Sequence, residues 1–301
     1  MRIVVALGGN AMLQRGESPD AEIQESHVHS AVAALTPLAE RHQLIVTHGN
    51  GPQIGTLALE SAADRALSRP YPFDTLGAQT QGMIGYWIAQ ALSRTVPDRQ
   101  AACLVCRTVV SAHDPAMSRP TKFVGPVYDE PSATRLATER QWQMRRDGAA
   151  WRRVVPSPEP VRIVELDLIE QLLRAGAIVI CTGGGGVPVT RDDRGGLHGV
   201  EAVLDKDLTA ALLATALSAD ALLILTDVPA VIRGYGTADA QPVRRATAAE
   251  LRAMSLPAGS MGPKVEAACR FAEATKGTAA IGRLDDAVAL LAGTAGTTVT
   301  P

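Results

Sequence analysis

The chain has 301 residues, 29 lysines and arginines against 31 acids, and 46% apolar residues. That is ordinary globular composition, long enough for one large α/β domain or two lobes sharing a sheet. The net charge of −2 supplies no basic footprint for nucleic acid and no polybasic membrane anchor, so a protein acting on a small molecule is expected.

Residues 3–7 read as a buried strand that runs into Gly8-Gly9-Asn10. The opening run is too short for a secretory h-region, and no apolar run approaches the eighteen or so residues of a membrane span, which predicts a cytoplasmic protein. Residues 31–41 have helical spacing, 44–47 form the next strand, 80–94 a helix and 102–110 a strand. A second half follows in the same rhythm, with a strand at 177–181, a helix at 207–217 and a strand at 221–226. Strands that are apolar throughout and separated by helices predict a mainly parallel sheet covered on both faces.

Residues 111–160 break this rhythm with seven prolines, several arginines, Trp142 and Trp151. The stretch is too long for an ordinary connection, and its tryptophans and Phe123 favour an ordered excursion such as a lid. Residues 233–241 read as a surface loop, and the last nine residues as a Gly/Thr-rich tail. Four cysteines, Cys103, Cys106, Cys181 and Cys269, are too few and too scattered for a disulfide framework, and the C-x-x-C of Cys103 and Cys106, inside an apolar stretch with no second ligand pair nearby, is read as buried strand residues.

Four strands end in related turns: Leu7-Gly8-Gly9-Asn10, Thr47-His48-Gly49-Asn50-Gly51-Pro52-Gln53, Thr182-Gly183-Gly184-Gly185-Gly186 and Thr226-Asp227-Val228-Pro229. In an open parallel sheet these carboxyl ends share one edge, where glycines let backbone N–H groups approach an anion. Neither a Walker loop nor a strand-linked G-x-G-x-x-G occurs. A phosphate held here must therefore draw positive charge from elsewhere.

Arginine fills 25 of the 29 cationic positions, leaving Lys122, Lys206, Lys264 and Lys276. A lysine kept in such a chain suits a place that needs a compact ammonium. Lys206 at a helix start and Lys264 beside Pro263 could neutralise a transferring phosphoryl group; a solvated helix start is the plain alternative for Lys264. Asp207 could orient the lysines, hold Mg²⁺ or serve as an N-terminal helix acid. His48 is read as a structural imidazole, because an anionic acceptor needs no base. Lys276 reads as a surface charge near a helix end.

Across its whole length the chain resembles the carbamate kinases of the amino acid kinase superfamily. The motifs that carry the likeness include Val4-Val5-Ala6-Leu7-Gly8-Gly9-Asn10-Ala11, Thr47-His48-Gly49-Asn50-Gly51-Pro52-Gln53, Pro120-Thr121-Lys122, Cys181-Thr182-Gly183-Gly184-Gly185-Gly186-Val187-Pro188-Val189, Asp205-Lys206-Asp207 and Gly259-Ser260-Met261-Gly262-Pro263-Lys264. The resemblance implies a three-layer αβα sandwich around a mainly parallel open sheet with a small protruding lid subdomain, and reversible phosphoryl transfer between ATP and carbamate with Mg²⁺ carried by the nucleotide, commonly run toward ATP, in a homodimer. It implies a single domain over 1–301, with an N-terminal lobe of about 1–215 on the carbamate side, a lid at about 111–160, and a nucleotide-side lobe at about 216–301.

Carried over by motif, Lys122, Lys206, Asp207 and Lys264 are catalytic. Gly8, Gly9, Asn10, Gly49, Asn50, Gly51, Gly184 and Gly185 hold substrate and phosphate, while Thr226, Asp227, Met261 and Gly262 lie at the nucleotide. Ala6 stands where acetylglutamate kinases place a lysine, which the resemblance replaces with Lys122 on the lid. The chain departs from the family pattern at Val228-Pro229-Ala230-Val231-Ile232 and at Phe123 and Val127. A related kinase acting on another small acid and a silent nucleotide-binding sensor are the alternatives, and four retained charges disfavour the sensor.

Overall fold

The structure, a computed structural model, describes residues 1–14, 16–256 and 261–301, and for Asn10 and Pro126 the backbone alone. The motif residues Gly259 and Ser260 and the side chain of Asn10 therefore lie outside the described residues.

Eight strands form the central sheet, in the order Arg245–Thr247, Thr297–Thr300, Thr278–Arg283, Ala221–Thr226, Arg2–Leu7, Gln43–His48, Ile178–Ile180 and Ala101–Cys103. Every pairing is parallel except that of Thr278–Arg283 with Thr297–Thr300. Alternation along each strand divides the apolar side chains between two faces. Val4, Ala6, Ile45, Leu222 and Ile224 pack on one side in a core shared with the helices Lys206–Ala216 and Met261–Thr275. Ile3, Val5, Leu7, Leu44 and Leu223 pack on the other, with the helices Ala21–Arg41 and Phe73–Thr95. Each fully buried aliphatic side chain contributes about 1.5–3 kcal/mol. The three-layer sandwich expected from the sequence is present.

Two expectations need correction. The tail includes a true strand, Thr297–Thr300, seated inside the sheet with Val299 buried. The run at 102–110 is two strands, because the chain leaves the sheet edge after Cys103 and Arg107–Val109 joins a separate four-stranded sheet. Cys103 consequently sits exposed at that edge, whereas Cys106, Cys181 and Cys269 are buried. Among the described residues no helix is long and apolar enough to cross a membrane.

The excursion is ordered. Lys122–Tyr128, Ala150–Val155 and Met144–Asp147 form a three-stranded antiparallel sheet beside the helix Glu130–Arg140. Its base packs Val124 and Val155 against Ile54, Phe73, Leu76 and Val203. A Cβ at Gly55 on the helix Gly51–Ala63 would lie 2.7 Å from the Gly125 Cα, so the two backbones cross in direct contact. Arg153 anchors this junction. Its guanidinium lies 4.7 Å from the Phe73 ring centroid and 4.4 Å from that of Trp142, and it donates to Glu201 at 3.3 Å. Glu201 in turn accepts the Phe73 N–H at 2.8 Å. Two cation–π contacts and a carboxylate partner are worth on the order of 2 kcal/mol together. Arg153→Met is therefore expected to speed limited proteolysis within 111–160 several-fold while the melting temperature of the core moves little; an unchanged cleavage pattern would remove Arg153 as the anchor.

Candidate active site

The four turns singled out from the sequence follow four adjacent parallel strands, Ala221–Thr226, Arg2–Leu7, Gln43–His48 and Ile178–Ile180, so they meet along one edge. A cleft of about 1210 Å³ opens there. Gly8, Gly9, Gly49, Asn50, Gly51 and Gly184 line it together with Lys122, Lys206, Asp207 and Lys264, with Thr226, Asp227 and Met261, and with the apolar Val228, Ile232 and Leu256. Gly185 is not on the wall; it is buried behind it, where a Cβ would fall 2.7 Å from the Leu204 Cβ. Gly262 likewise is not among the lining residues. Lys276 is exposed just beyond a helix end.

The glycines serve mainly as space. The Gly8 N–H continues the strand ladder to the Leu225 carbonyl at 3.1 Å, and that of Gly49 goes to Leu7 at 3.0 Å, so neither is a free anion donor. In the loop 183–186 each glycine faces a different neighbour. A Cβ at Gly183 would strike the His48 imidazole, at Gly184 the Asn50 carboxamide and at Gly186 the Thr108 hydroxyl. Gly184, Gly185 and Gly186 also have φ of 64°, 94° and 84°, a region that favours glycine. Thr182, entering the loop, holds φ at 51°, a strained setting for a β-branched residue that costs on the order of 1–3 kcal/mol.

The charged centre is built on one helix start. Asp205 caps the helix Lys206–Ala216, its Oδ1 accepting the N–H groups of Asp207 at 3.0 Å and Leu208 at 3.3 Å. Its Oδ2 accepts from Lys122 Nζ at 2.8 Å, which ties the lid to the cleft. Asp207 is 4% exposed; Lys206 Nζ donates to its Oδ1 at 2.5 Å and Lys264 Nζ to its Oδ2 at 2.9 Å. Of the roles open for Asp207, capping belongs to Asp205 instead. The cluster itself sets three ammonium groups against two carboxylates, and Asp227, Arg283 and Asp285 add further charge to the cleft wall.

Burial sets the protonation of these groups. It depresses Lys206 to about 8, Asp207 opposing and the like charge of Lys264 adding to the effect. Burial would raise the Asp207 carboxyl, but the two lysines outweigh it and hold it well below the usual carboxylate range. For Lys264 burial works downward and Asp207 prevails, so it is raised and stays protonated. His48 is pushed down to about 4 by burial despite its hydrogen bond to the Gly49 carbonyl, and Lys206 adds to the depression. It is a neutral imidazole at working pH, matching the structural part expected of it.

Asp205 was given no role from the sequence, although an aspartate directly before a helical run is an N-cap signal. A second groove, about 680 Å³, lies elsewhere, lined by Arg2, His42 and Arg99. There the Arg99 guanidinium is spent on the carbonyls of Ala39, His42 and Gly176.

Residues 1–283 match the model of the amino acid kinase family. The chain belongs to that family. Among its relatives, a carbamate kinase of Rhizobium meliloti (strain 1021) is 49% identical, the match covering 99% of this chain and 93% of that protein. One from Escherichia coli (strain K12) is 48% identical over 99% of this chain and 98% of its own length. The solved carbamate kinase of Giardia lamblia bound to AMP-PNP superposes with a TM-score of 0.90 at 38% identity, covering 99% of this chain and 98% of that one. Family membership and these relatives make the chain a phosphotransferase.

Breaking the buried triad from its centre should be costly. Asp207→Asn leaves Lys206 and Lys264 facing each other without a counter-charge, with an expected loss of about 3–5 kcal/mol in urea unfolding at pH 7. That loss should be larger at pH 6 than at pH 8, because Asp207 is what holds Lys206 up at about 8, and without it Lys206 sheds its proton at lower pH. A loss below about 1 kcal/mol would mean that the two lysines reach water freely.

Proposed function

We propose that this chain is a carbamate kinase, catalysing ATP + carbamate ⇌ ADP + carbamoyl phosphate, with Mg²⁺ entering as part of the nucleotide substrate. The observation that carries the reading is the gathering of Lys122, Lys206 and Lys264 from three separate elements at one cleft, in a chain nearly half identical end to end to carbamate kinases. Among the described residues no group of three or more His, Cys, Asp or Glu side chains gathers to hold a metal. Mg²⁺ commonly keeps several waters and takes substrate phosphates with one or two carboxylates, so the nucleotide would bring most of its ligands.

The residues have little covalent work to do. Carbamate is already an anion, so its oxygen attacks the γ-phosphorus without a base, and neutral His48 is not asked to act as one. Phosphoryl transfer spreads negative charge over three equatorial oxygens, and preset ammonium groups stabilise that charge with little reorganisation. Lys206 and Lys264 are held rigidly by Asp207. Lys122 rests on Asp205 and would exchange that carboxylate for a phosphoryl oxygen when substrate arrives. Thr226, Asp227 and Met261 belong to the nucleotide end; Gly9, Asn50, Gly51 and Gly184 to the carbamate end. We further assign the physiological direction to ATP synthesis, within arginine breakdown, in a cytoplasmic homodimer.

The test is a coupled assay for ATP from carbamoyl phosphate and ADP beside a panel of other acyl phosphates. Turnover fastest with carbamoyl phosphate is expected, and Lys122→Ala should lower it by about 10²–10³-fold with the fold intact. Binding of ADP without ATP from any acyl phosphate would favour a silent sensor, and near-wild-type turnover by the Lys122 variant would end the lid assignment. The pH profile adds a second measure: kcat/KM should fall as pH rises through about 8, where Lys206 in the free enzyme loses its charge. A bound polyanion raises that value, so the fall in kcat should come later. A kcat/KM level to pH 9.5 would contradict the assigned role of Lys206.

A further inference from the structure

The reaction poses a selectivity problem that charge cannot solve. Carbamoyl phosphate and acetyl phosphate have the same shape and charge and differ by NH₂ against CH₃. The lysines and the phosphate-facing backbone treat them alike. Only a hydrogen-bond acceptor aimed at the amino group separates them, because it is left unpaired in a buried site when a methyl takes that place.

Asn50 has the geometry for this, and a residue behind it sets which way its amide faces. Thr80, on the helix Phe73–Thr95, is fully buried. Its hydroxyl has one proton, donated to the Gly77 carbonyl at 2.8 Å. The remaining lone pairs of Oγ1 can only accept. The edge of the Asn50 carboxamide that lies 2.9 Å from Thr80 must then be its NH₂. The reversed amide would force the hydroxyl to turn its proton toward Asn50 Oδ1 and give up the bond to the Gly77 carbonyl.

Fixing one edge of a carboxamide fixes the other. Asn50 is 5% exposed and lines the cleft. Its Oδ1 accepts no hydrogen bond from any described residue, and it is not among the fully buried orphan atoms. Gly184 completes the setting: a Cβ there would strike the Asn50 Nδ2, Cγ and Oδ1 together, so the glycine backbone lies flat against the amide plane. The ring of contacts holds the amide with Nδ2 on Thr80 and leaves Oδ1 for the cleft that Asn50 lines.

We propose that Asn50 Oδ1 is the acceptor that selects the amino group of carbamate, and that Thr80 is a positioning residue that holds it in that sense. The inference rests on the carbamate kinase reading and names the specificity element of the same site. Gly184 belongs to it as the face against which the amide lies. The element is made of three segments, the turn after the strand Gln43–His48, the helix Phe73–Thr95 and the glycine loop, which the sequence separates by 30 residues and more.

The experiment measures kcat/KM for carbamoyl phosphate and for acetyl phosphate, each with ADP, in wild type, Thr80→Val and Thr80→Ser. Valine keeps the volume and removes both the acceptor and the proton, freeing the amide to turn. The ratio of the two kcat/KM values should fall about 10–100-fold in Thr80→Val, with the KM for ADP unchanged, and Thr80→Ser should restore it. A merely structural role would lower both substrates together and leave the ratio alone; that result, or an unchanged ratio with normal rates, overturns the proposal. If the valine variant does not fold, Asn50→Ala reads the same ratio: a fall of at least the same size supports the acceptor, and an unchanged ratio rejects it. The wild-type rate with carbamoyl phosphate decides the function separately, so the two failures are distinguishable.

Discussion

A single buried carboxylate, Asp207, is the constraint on which the site depends. Two ammonium groups at 2.5 and 2.9 Å occupy its two oxygens, and 4% exposure leaves water little share in the arrangement. Lysines desolvated this far would repel each other or lose a proton without it. Their stems come from the start of one helix and the first turn of another, so the triad fixes the relation between Lys206–Ala216 and Met261–Thr275. Those helices cover one face of the sheet, which makes the packing of that layer and the charge of the cleft parts of one requirement.

Beside this pair stands a cation from a separate small sheet. Lys122 begins a lid strand and is bound to the carboxylate that caps the Lys206 helix. Asp205 thus links helix start and lid through its two oxygens. In the absence of substrate it gives Lys122 an anionic partner, which keeps a third positive charge from crowding the other two. The lid need not be loose for this: Arg153, between two aromatic rings and bonded to Glu201, holds its base while its leading strand reaches the cleft.

Much of this was legible in the sequence for physical reasons. Strands buried on both faces read as apolar runs, so the runs at 3–7, 44–47 and 221–226 announced the central strands, and their turns announced the edge where the cleft opens. Lysines rare against arginines pointed to Lys122, Lys206 and Lys264. What was hidden depended on contacts between distant segments. Thr297–Thr300 is a strand because a neighbouring edge is available, although its composition reads as a tail. Thr80 looks like any helical threonine until Asn50 is placed 2.9 Å away. The four glycines of 183–186 read as a phosphate loop, yet most of their work is to leave room for His48, Asn50 and Thr108. Gly185 accordingly sits behind the wall it was expected to line.

The pairing of Arg2–Leu7 with Ala221–Thr226 has a mechanical consequence. These strands come from the two lobes the chain was expected to form, and they are joined in parallel register from Ile3 opposite Ala221 to Leu7 opposite Leu225. A hinge between the lobes would have to tear that ladder and open both apolar layers at once. The central sheet therefore forms one continuous slab, and Lys122 reaches its edge from a separate small antiparallel sheet.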